Sequence, residues 1–202
     1  MLFLNGKYTV IIVGVAITIL VYLAGTFLIP AKQSTVFFVS SFGFLALLTL
    51  ILVISSPLLV RLRNNSLTRF LLVQQRWIGL FAFFFAAAHV SLIYNFFFAW
   101  DFLKPLSLPN STFLILGAVS FILLALMAAT SNDFAIRTLG RNWKRLQYAI
   151  YAVLLLVFVH AYNIGLFYFP NRLVPWVLAA LAVIVLALKW NIVKIPGWSR
   201  AE

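Results

Sequence analysis

The chain has few charged residues and no cysteine. Of its 202 residues, 9% are charged and only three are acidic, whereas 65% are hydrophobic. Soluble domains carry about 25% charged residues, so this chain could not cover its surface in water. The lack of cysteine excludes disulfides, thiolate metal sites and thioether-linked cofactors. The composition therefore predicts an integral membrane protein.

Six apolar runs are each close to the ~20 residues that an α-helix needs to cross a bilayer. They cover residues 9–29, 36–60, 77–99, 112–129, 146–169 and 174–191. The sequence therefore predicts an all-α polytopic protein with residues 1–202 forming a single domain, a bundle of six transmembrane helices. The first run has no convincing small-residue cleavage site, so we expect a retained helix and not a removed signal peptide.

Basic residues are distributed very unequally between the two sides of the predicted bundle. Twelve Lys and Arg fall near the termini and in the loops after spans two and four, whereas only Lys32, Lys104 and Arg172 fall on the opposite side. The positive-inside rule then places both termini in the cytoplasm or the topologically equivalent compartment. Topology thus accounts for the formal charge of +12, and no nucleic-acid partner is expected.

The chain has two histidines, His89 and His160, and each lies deep inside an apolar run. Charged side chains cost about 2.5–3.5 kcal/mol at the centre of a membrane helix, so ionisable residues there usually have a function. Counted from the basic side of two parallel spans, the histidines lie at ~18 Å and ~21 Å along the helix axis. Two imidazoles at one level could clamp a planar macrocycle. The first hypothesis is one haem b with His89 and His160 as iron ligands.

Small residues follow the helix face that carries His89. They recur at Gly79, Ala82 and Ala86. Such a stripe leaves room for a flat ligand, although close helix packing is its more common role. A lone membrane histidine can likewise serve only to hydrogen-bond a neighbouring helix. Tyr94 and Asn163 lie just beyond the histidines, where their polar groups could meet haem propionates, and they complete the predicted cofactor site.

Three stretches carry a family likeness. They are residues 55–59 (SSPLL), residues 76–83 (RWIGLFAF) leading to His89, and residues 139–146 (LGRNWKRL) leading to His160. These stretches resemble the ferric reductase-like transmembrane family, most closely the haem-binding membrane subunits of methionine sulfoxide reductase systems. The resemblance implies that His89 and His160 match the outer pair of haem ligands in that family.

One position departs from the family pattern. Gln147 stands where the haem-binding subunits have another histidine, and Arg76 is the expected facing residue on span three. Neither side chain is a useful haem ligand, so a single haem is expected. The chain contains no GxGxxG or other nucleotide fingerprint. Electrons would therefore come from a membrane quinone, a flavin such as FMN, or a partner protein.

The leading hypothesis is a cytochrome b-like electron-transfer subunit that passes electrons from such a donor to an acceptor on the outer side. The resemblance suggests a molybdenum-containing methionine sulfoxide reductase as that acceptor. The protein would then be a redox subunit of an oxidoreductase system. Its expected contacts are the lipid bilayer and a redox partner protein or larger membrane complex, and no soluble substrate is identified. The alternative is a structural or assembly subunit with a single or vestigial haem. A transporter is disfavoured because no carboxylate lies within a span.

Overall fold

The computed structural model describes residues 6–108, 111–164 and 173–189, and this part of the chain contains helices but no strand. Nine α-helices are described: α1 (Gly6–Phe27), α2 (Ala31–Leu62), α3 (Ser66–Val73), α4 (Gln75–Ile93), α5 (Ser111–Ala129), α6 (Asp133–Leu139), α7 (Arg141–Gln147), α8 (Ala149–Ile164) and α9 (Leu173–Lys189). A π-helical turn, Tyr94–Phe98, extends α4, and a short 3-10 turn, Lys104–Ser107, precedes α5. The all-α prediction is confirmed for the described residues.

Five helical segments in the described part of the chain are long and apolar enough to cross a membrane. They are Gly6–Phe27, Ala31–Leu62, Gln75–Phe98, Ser111–Ala129 and Arg141–Asn163. The sixth predicted span corresponds to α9, whose apolar segment Val177–Ala187 is shorter. The predicted ends of spans five and six, residues 165–169 and 190–191, lie outside the described residues. Five apolar helices of this length make the chain an integral membrane protein.

Two antiparallel helix pairs organise the bundle. In the first, α2 packs along α4, and in the second, α5 packs along α8. The pairs meet where α4 contacts α5, with the Phe83 and Phe121 rings stacked at a centroid separation of 5.8 Å. Because α4 is antiparallel to α5 and α5 is antiparallel to α8, α4 and α8 run in the same direction.

A buried hydrophobic core joins four helices. Its buried side chains come from α2, α5, α8 and α9, and include Leu47, Ile54, Leu124, Val153 and Val185. Val153 and Ile54 are 0% and 1% exposed. Many apolar side chains elsewhere, such as Leu20 and Phe27 of α1, are instead exposed. An apolar exterior of this extent suits a lipid environment.

Pro57 lies inside α2 and changes the hydrogen bonding of that helix. Proline has no N–H, so the carbonyl of Val53, four residues earlier, loses its helical donor. Two side chains replace that donor: Gln75 Nε2 lies 3.0 Å from the Val53 oxygen, and Ser56 Oγ lies 2.9 Å from it. A membrane interior supplies no water to satisfy such a group. The proline therefore fixes the start of α4 against α2.

The turn after α5 ties several helices together at the basic end of the bundle, the end that carries α3, α6 and α7. Arg76 Nη1 lies 2.7 Å from Asp133 Oδ1, and Arg76 Nε donates to the Ser131 carbonyl, also at 2.7 Å. Trp143 of α7 donates through Nε1 to the Thr130 carbonyl at 3.0 Å. These bonds fix α4 and α7 to a single turn.

Candidate functional site

The two histidine rings meet between α4 and α8. The ring centroids of His89 and His160 are 6.3 Å apart, and the ring planes are at 86° to each other. Two residues that lie far apart in sequence thus share one level of the bundle, on helices that run in the same direction. The rise per residue of an α-helix is constant, so counting residues from the basic loops gives the depth of each histidine. The sequence could therefore indicate this common level.

Each ring is held by a backbone carbonyl of the antiparallel partner helix. His89 Nδ1 lies 2.8 Å from the Val39 oxygen of α2, and His160 Nδ1 lies 2.8 Å from the Phe113 oxygen of α5. A carbonyl only accepts hydrogen bonds, so the proton of each neutral ring belongs on Nδ1. Each Nε2 then presents a free lone pair. This is the arrangement in which histidine serves as a metal ligand.

A glycine lies beneath each histidine ring. A Cβ built on Gly43 of α2 would be 2.9 Å from His89 Nδ1, and a Cβ built on Gly117 of α5 would be 2.8 Å from His160 Nδ1. Each glycine follows the accepting carbonyl by four residues, so both lie on the same helix face as that carbonyl. The two helix pairs therefore hold their histidines in the same way.

The separation of the two rings suits a metal ion between them. Imidazole nitrogens bind metals at ~2.0–2.1 Å, so the ring centres of two such ligands on opposite sides of one ion are ~6.3–6.6 Å apart. The observed separation is 6.3 Å. No group of three or more His, Cys, Asp or Glu within the described residues could hold a bare ion. Two imidazoles alone suit an iron whose other ligands come from a macrocycle, as in haem.

Burial along α4 and α8 changes near the histidines. The fully buried residues of α4 are Ile78, Ala82 and Phe85, all before His89, and those of α8 are Val153 and Leu154, before His160. From these positions to the histidines, most side chains on both helices are half-buried. Near the histidines, α4 and α8 are therefore less enclosed than in the core, whereas Val39 and Ser41 of α2 remain buried. Partial exposure of α4 and α8 suits a flat cofactor with an edge towards lipid.

The predicted stripe of small residues contacts neighbouring protein. A Cβ on Gly79 would lie 4.0 Å from Val53 Cγ2 of α2. Ala82 is fully buried, and Ala86 packs against the core. These contacts match the packing alternative for the stripe. A role for the three residues in cofactor binding stays a prediction.

The two predicted polar residues have other contacts. The Tyr94 ring, in the π-helical turn, lies 4.9 Å from the Phe102 ring and 6.3 Å from the Trp100 ring, centroid to centroid. Asn163 is exposed, and its Nδ2 donates to the Val159 carbonyl of its own helix at 2.7 Å. Of the predicted site, the structure brings together the two histidines. Contact of Tyr94 and Asn163 with a cofactor stays a prediction.

A second pair of polar side chains repeats the histidine arrangement towards the basic end. Gln75 Nε2 donates to the Val53 carbonyl at 3.0 Å, and Gln147 Nε2 lies 3.5 Å from the Met127 carbonyl. Val53 follows Val39 by fourteen residues on α2, and Met127 follows Phe113 by fourteen residues on α5. The counterpart of Gln147 on α4 is therefore Gln75. Arg76, the predicted counterpart, is one residue further on and points to Asp133.

Sequence reasoning did not identify the two glycines or Gln75. A signal was present, because Gly43 is the one glycine in the sequence of α2, and Gly117 is the one glycine in that of α5. Single glycines inside apolar helices often mark close approach by a neighbouring group. The approaching group could not be named without the helix pairing.

Comparison with known proteins identifies the family of the chain. The family model "Ferric reductase like transmembrane component" matches residues 39–158, which is more than half of the chain. The chain belongs to this family. Its matched region begins at Val39, whose carbonyl holds His89, and ends two residues before His160. Membership of the ferric reductase-like family is therefore established over the helices that build the site.

Relatives of known name extend the comparison. The chain is 37% identical over 112 residues to the protein-methionine-sulfoxide reductase heme-binding subunit MsrQ of Bordetella pertussis, and equally to those of Bordetella parapertussis and Bordetella bronchiseptica. The match covers 52% of this chain and 45% of each relative. The chain thus matches just under half the length of these bacterial relatives.

Proposed function

We propose that this ferric reductase-like protein is a membrane electron-transfer subunit that binds one haem b between His89 and His160. The observation that carries the proposal is the 6.3 Å separation of two imidazole rings whose Nδ1 atoms are both held by backbone carbonyls. The heme-binding subunits among its relatives support the choice of cofactor. When bound, the haem supplies one-electron redox chemistry.

The protein's own groups prepare the two ligands. The Val39 and Phe113 carbonyls keep the proton on Nδ1 and hold the rings in a fixed orientation. They also raise the basicity of Nε2, which strengthens its bond to a metal. The surrounding side chains are apolar, so the site has a low dielectric constant, which tunes the redox potential of a bound haem. The chain has no cysteine for thioether links, so a haem would be held without covalent links, as the proposed b type is.

The residues at the second level support the proposal of a single haem. Gln75 and Gln147 occupy positions equivalent to the histidines, and both amides bond to backbone carbonyls. An uncharged amide is a poor iron ligand compared with imidazole. These glutamines therefore act as ties between helices.

The proposed topology follows from charge. We place six spans in the membrane, with α9 as the sixth and residues 1–202 as one domain. The excess of basic residues around α3, α6 and α7 puts that end, with both termini, in the cytoplasm of a bacterial inner membrane. The histidine level then lies in the outer half of the bilayer.

The position of the haem favours particular redox partners. His89 lies fourteen residues, or ~21 Å along the helix axis, beyond Gln75, which begins α4 two residues before the predicted start of span three. One haem at that depth does not bridge the ~30 Å hydrocarbon core. A quinone dissolved in the membrane can approach it more closely than FMN held on the cytoplasmic side. The proposed acceptor is a redox partner protein on the outer side, where the relatives' names suggest a methionine sulfoxide reductase.

The test uses protein purified in detergent with its haem. We expect a Soret band and the separate α and β bands of a low-spin haem with two histidine ligands. The haem-to-protein ratio by pyridine hemochrome should be one. His89→Ala and His160→Ala should each abolish the bis-histidine spectrum, and a quinol should reduce the wild-type haem. A wild-type haem that neither quinol nor dithionite reduces would favour the structural-subunit alternative.

A further inference from the structure

We infer that Gly43 and Gly117 are positioning residues that set the orientation of the two histidine rings. This inference rests on the proposed function, because its consequence concerns a haem bound between those rings. Neither glycine touches the haem in this proposal. Each acts through the histidine that lies on it.

The spaces above the two glycines are too small for a methyl group. A Cβ on Gly43 would lie 2.9 Å from His89 Nδ1 and 3.0 Å from His89 Cε1. A Cβ on Gly117 would lie 2.8 Å from both the Nδ1 and the Cε1 of His160. Carbon atoms pack best at about 3.5–4.0 Å, so each ring would have to retreat by ~0.5–1 Å.

The rings cannot retreat freely, because the same helix face also holds them. His89 bonds to the carbonyl one helical turn before Gly43, and His160 bonds to the carbonyl one turn before Gly117. A movement that relieves the methyl contact therefore lengthens or bends a hydrogen bond of 2.8 Å. Rotation of the ring about χ2 is the other way to relieve the contact, and it changes the 86° angle between the two imidazole planes.

Both movements, retreat of the ring and its rotation about χ2, would alter the environment of a bound haem iron. A weaker Nδ1 hydrogen bond lowers the donor strength of Nε2, and a changed ring angle alters the ligand field. The glycines therefore serve the orientation that the rings need, and not only the close packing of helices. Since the two glycines lie on different helices, their effects should be separable.

A matched control comes from Gly14 of α1. A Cβ on Gly14 would lie 2.1 Å from Cε1 of Phe81, so Gly14→Ala introduces a steric conflict at least as severe. Phe81 precedes His89 by eight residues on α4, about two turns away. Gly14→Ala therefore tests the general cost of crowding a helix contact.

The experiment compares Gly43→Ala, Gly117→Ala and Gly14→Ala as haem-loaded protein in detergent. Electron paramagnetic resonance of the oxidised haem and its midpoint potential are the readouts. We expect each histidine-facing variant to shift the low-spin signal and the potential and to weaken haem retention by ~10–100-fold, as outer-shell changes do at metal sites. Gly14→Ala should keep the wild-type signal and potential.

Two results would overturn the inference. One is a wild-type resonance signal and potential in both Gly43→Ala and Gly117→Ala. The other is loss of haem accompanied by aggregation, in size-exclusion chromatography, that exceeds that of Gly14→Ala. Haem loss from a monodisperse, helical variant supports it. Wild-type protein without a bis-histidine signal would instead refute the proposed function, so the two failures are distinct.

Discussion

Replacing Gln75 by leucine tests how the proline in α2 is accommodated. The Val53 carbonyl lacks a helical donor because of Pro57, and it accepts from Gln75 and Ser56 at 3.0 Å and 2.9 Å. Side-chain hydrogen bonds between membrane helices contribute about 0.6 kcal/mol on average and at most ~1.7 kcal/mol. Since Ser56 still satisfies the carbonyl in the variant, we expect Gln75→Leu to lower the free energy of unfolding by about 0.6–1.5 kcal/mol.

The role of the proline is isolated by a double-mutant cycle. Pro57→Ala restores an N–H that can donate to Val53, so the loss caused by Gln75→Leu should shrink by at least about half in that background. Unfolding in mixed micelles of dodecyl maltoside and sodium dodecyl sulfate, followed by tryptophan fluorescence, measures all four proteins. An equal loss from Gln75→Leu with and without Pro57 would show that Gln75 does not serve the carbonyl freed by the proline.

Three further predictions concern the two levels of the bundle. His89→Ala should leave a haem with at most one histidine ligand, seen as high-spin absorption bands, and an unchanged low-spin spectrum would refute the ligand assignment. The double variant Gln75→His/Gln147→His should raise the haem-to-protein ratio, measured by pyridine hemochrome, from one towards two. The reason is that both positions repeat the bond to a backbone carbonyl that holds each histidine. A ratio that stays at one would show that the second level lacks room for a macrocycle. Asp133→Asn should lower the free energy of unfolding by no more than about 0.5 kcal/mol and leave the haem spectrum unchanged. The side chains of Arg76 and Asp133 are 40% and 75% exposed, and exposed ion pairs contribute little. A loss of stability that persists in high salt would contradict this.

The helical class and the common histidine level followed from the sequence because both depend on simple distances. The length of an apolar run shows whether a helix can cross the bilayer, and the fixed rise per residue converts a sequence position into a depth in the membrane. His89 and His160 could therefore be placed at one level without knowledge of their neighbours. The ends of helices were less predictable, since α2 begins directly after Pro30 and α8 follows a separate short helix, α7.

The details that depend on rotation about a helix axis were not predictable in the same way. One residue turns an α-helix by ~100°, so the choice between Gln75 and Arg76 decides whether a side chain faces α2 or the α5–α6 turn. The partner carbonyls of Val39 and Phe113 likewise depend on which helices are adjacent. That adjacency is set by long-range packing, which no local pattern in the sequence records.

Placement of the two histidines in different helix pairs also gives the proposed haem site an order of assembly. A nascent chain inserted only as far as α4 presents a single imidazole, held by the α2 carbonyl. The second imidazole arrives once α8 has entered the bilayer and docked on α5. In the proposed site, a haem would thus be bound from both faces only after α8 has docked, so maturation of the site would depend on completion of the C-terminal half.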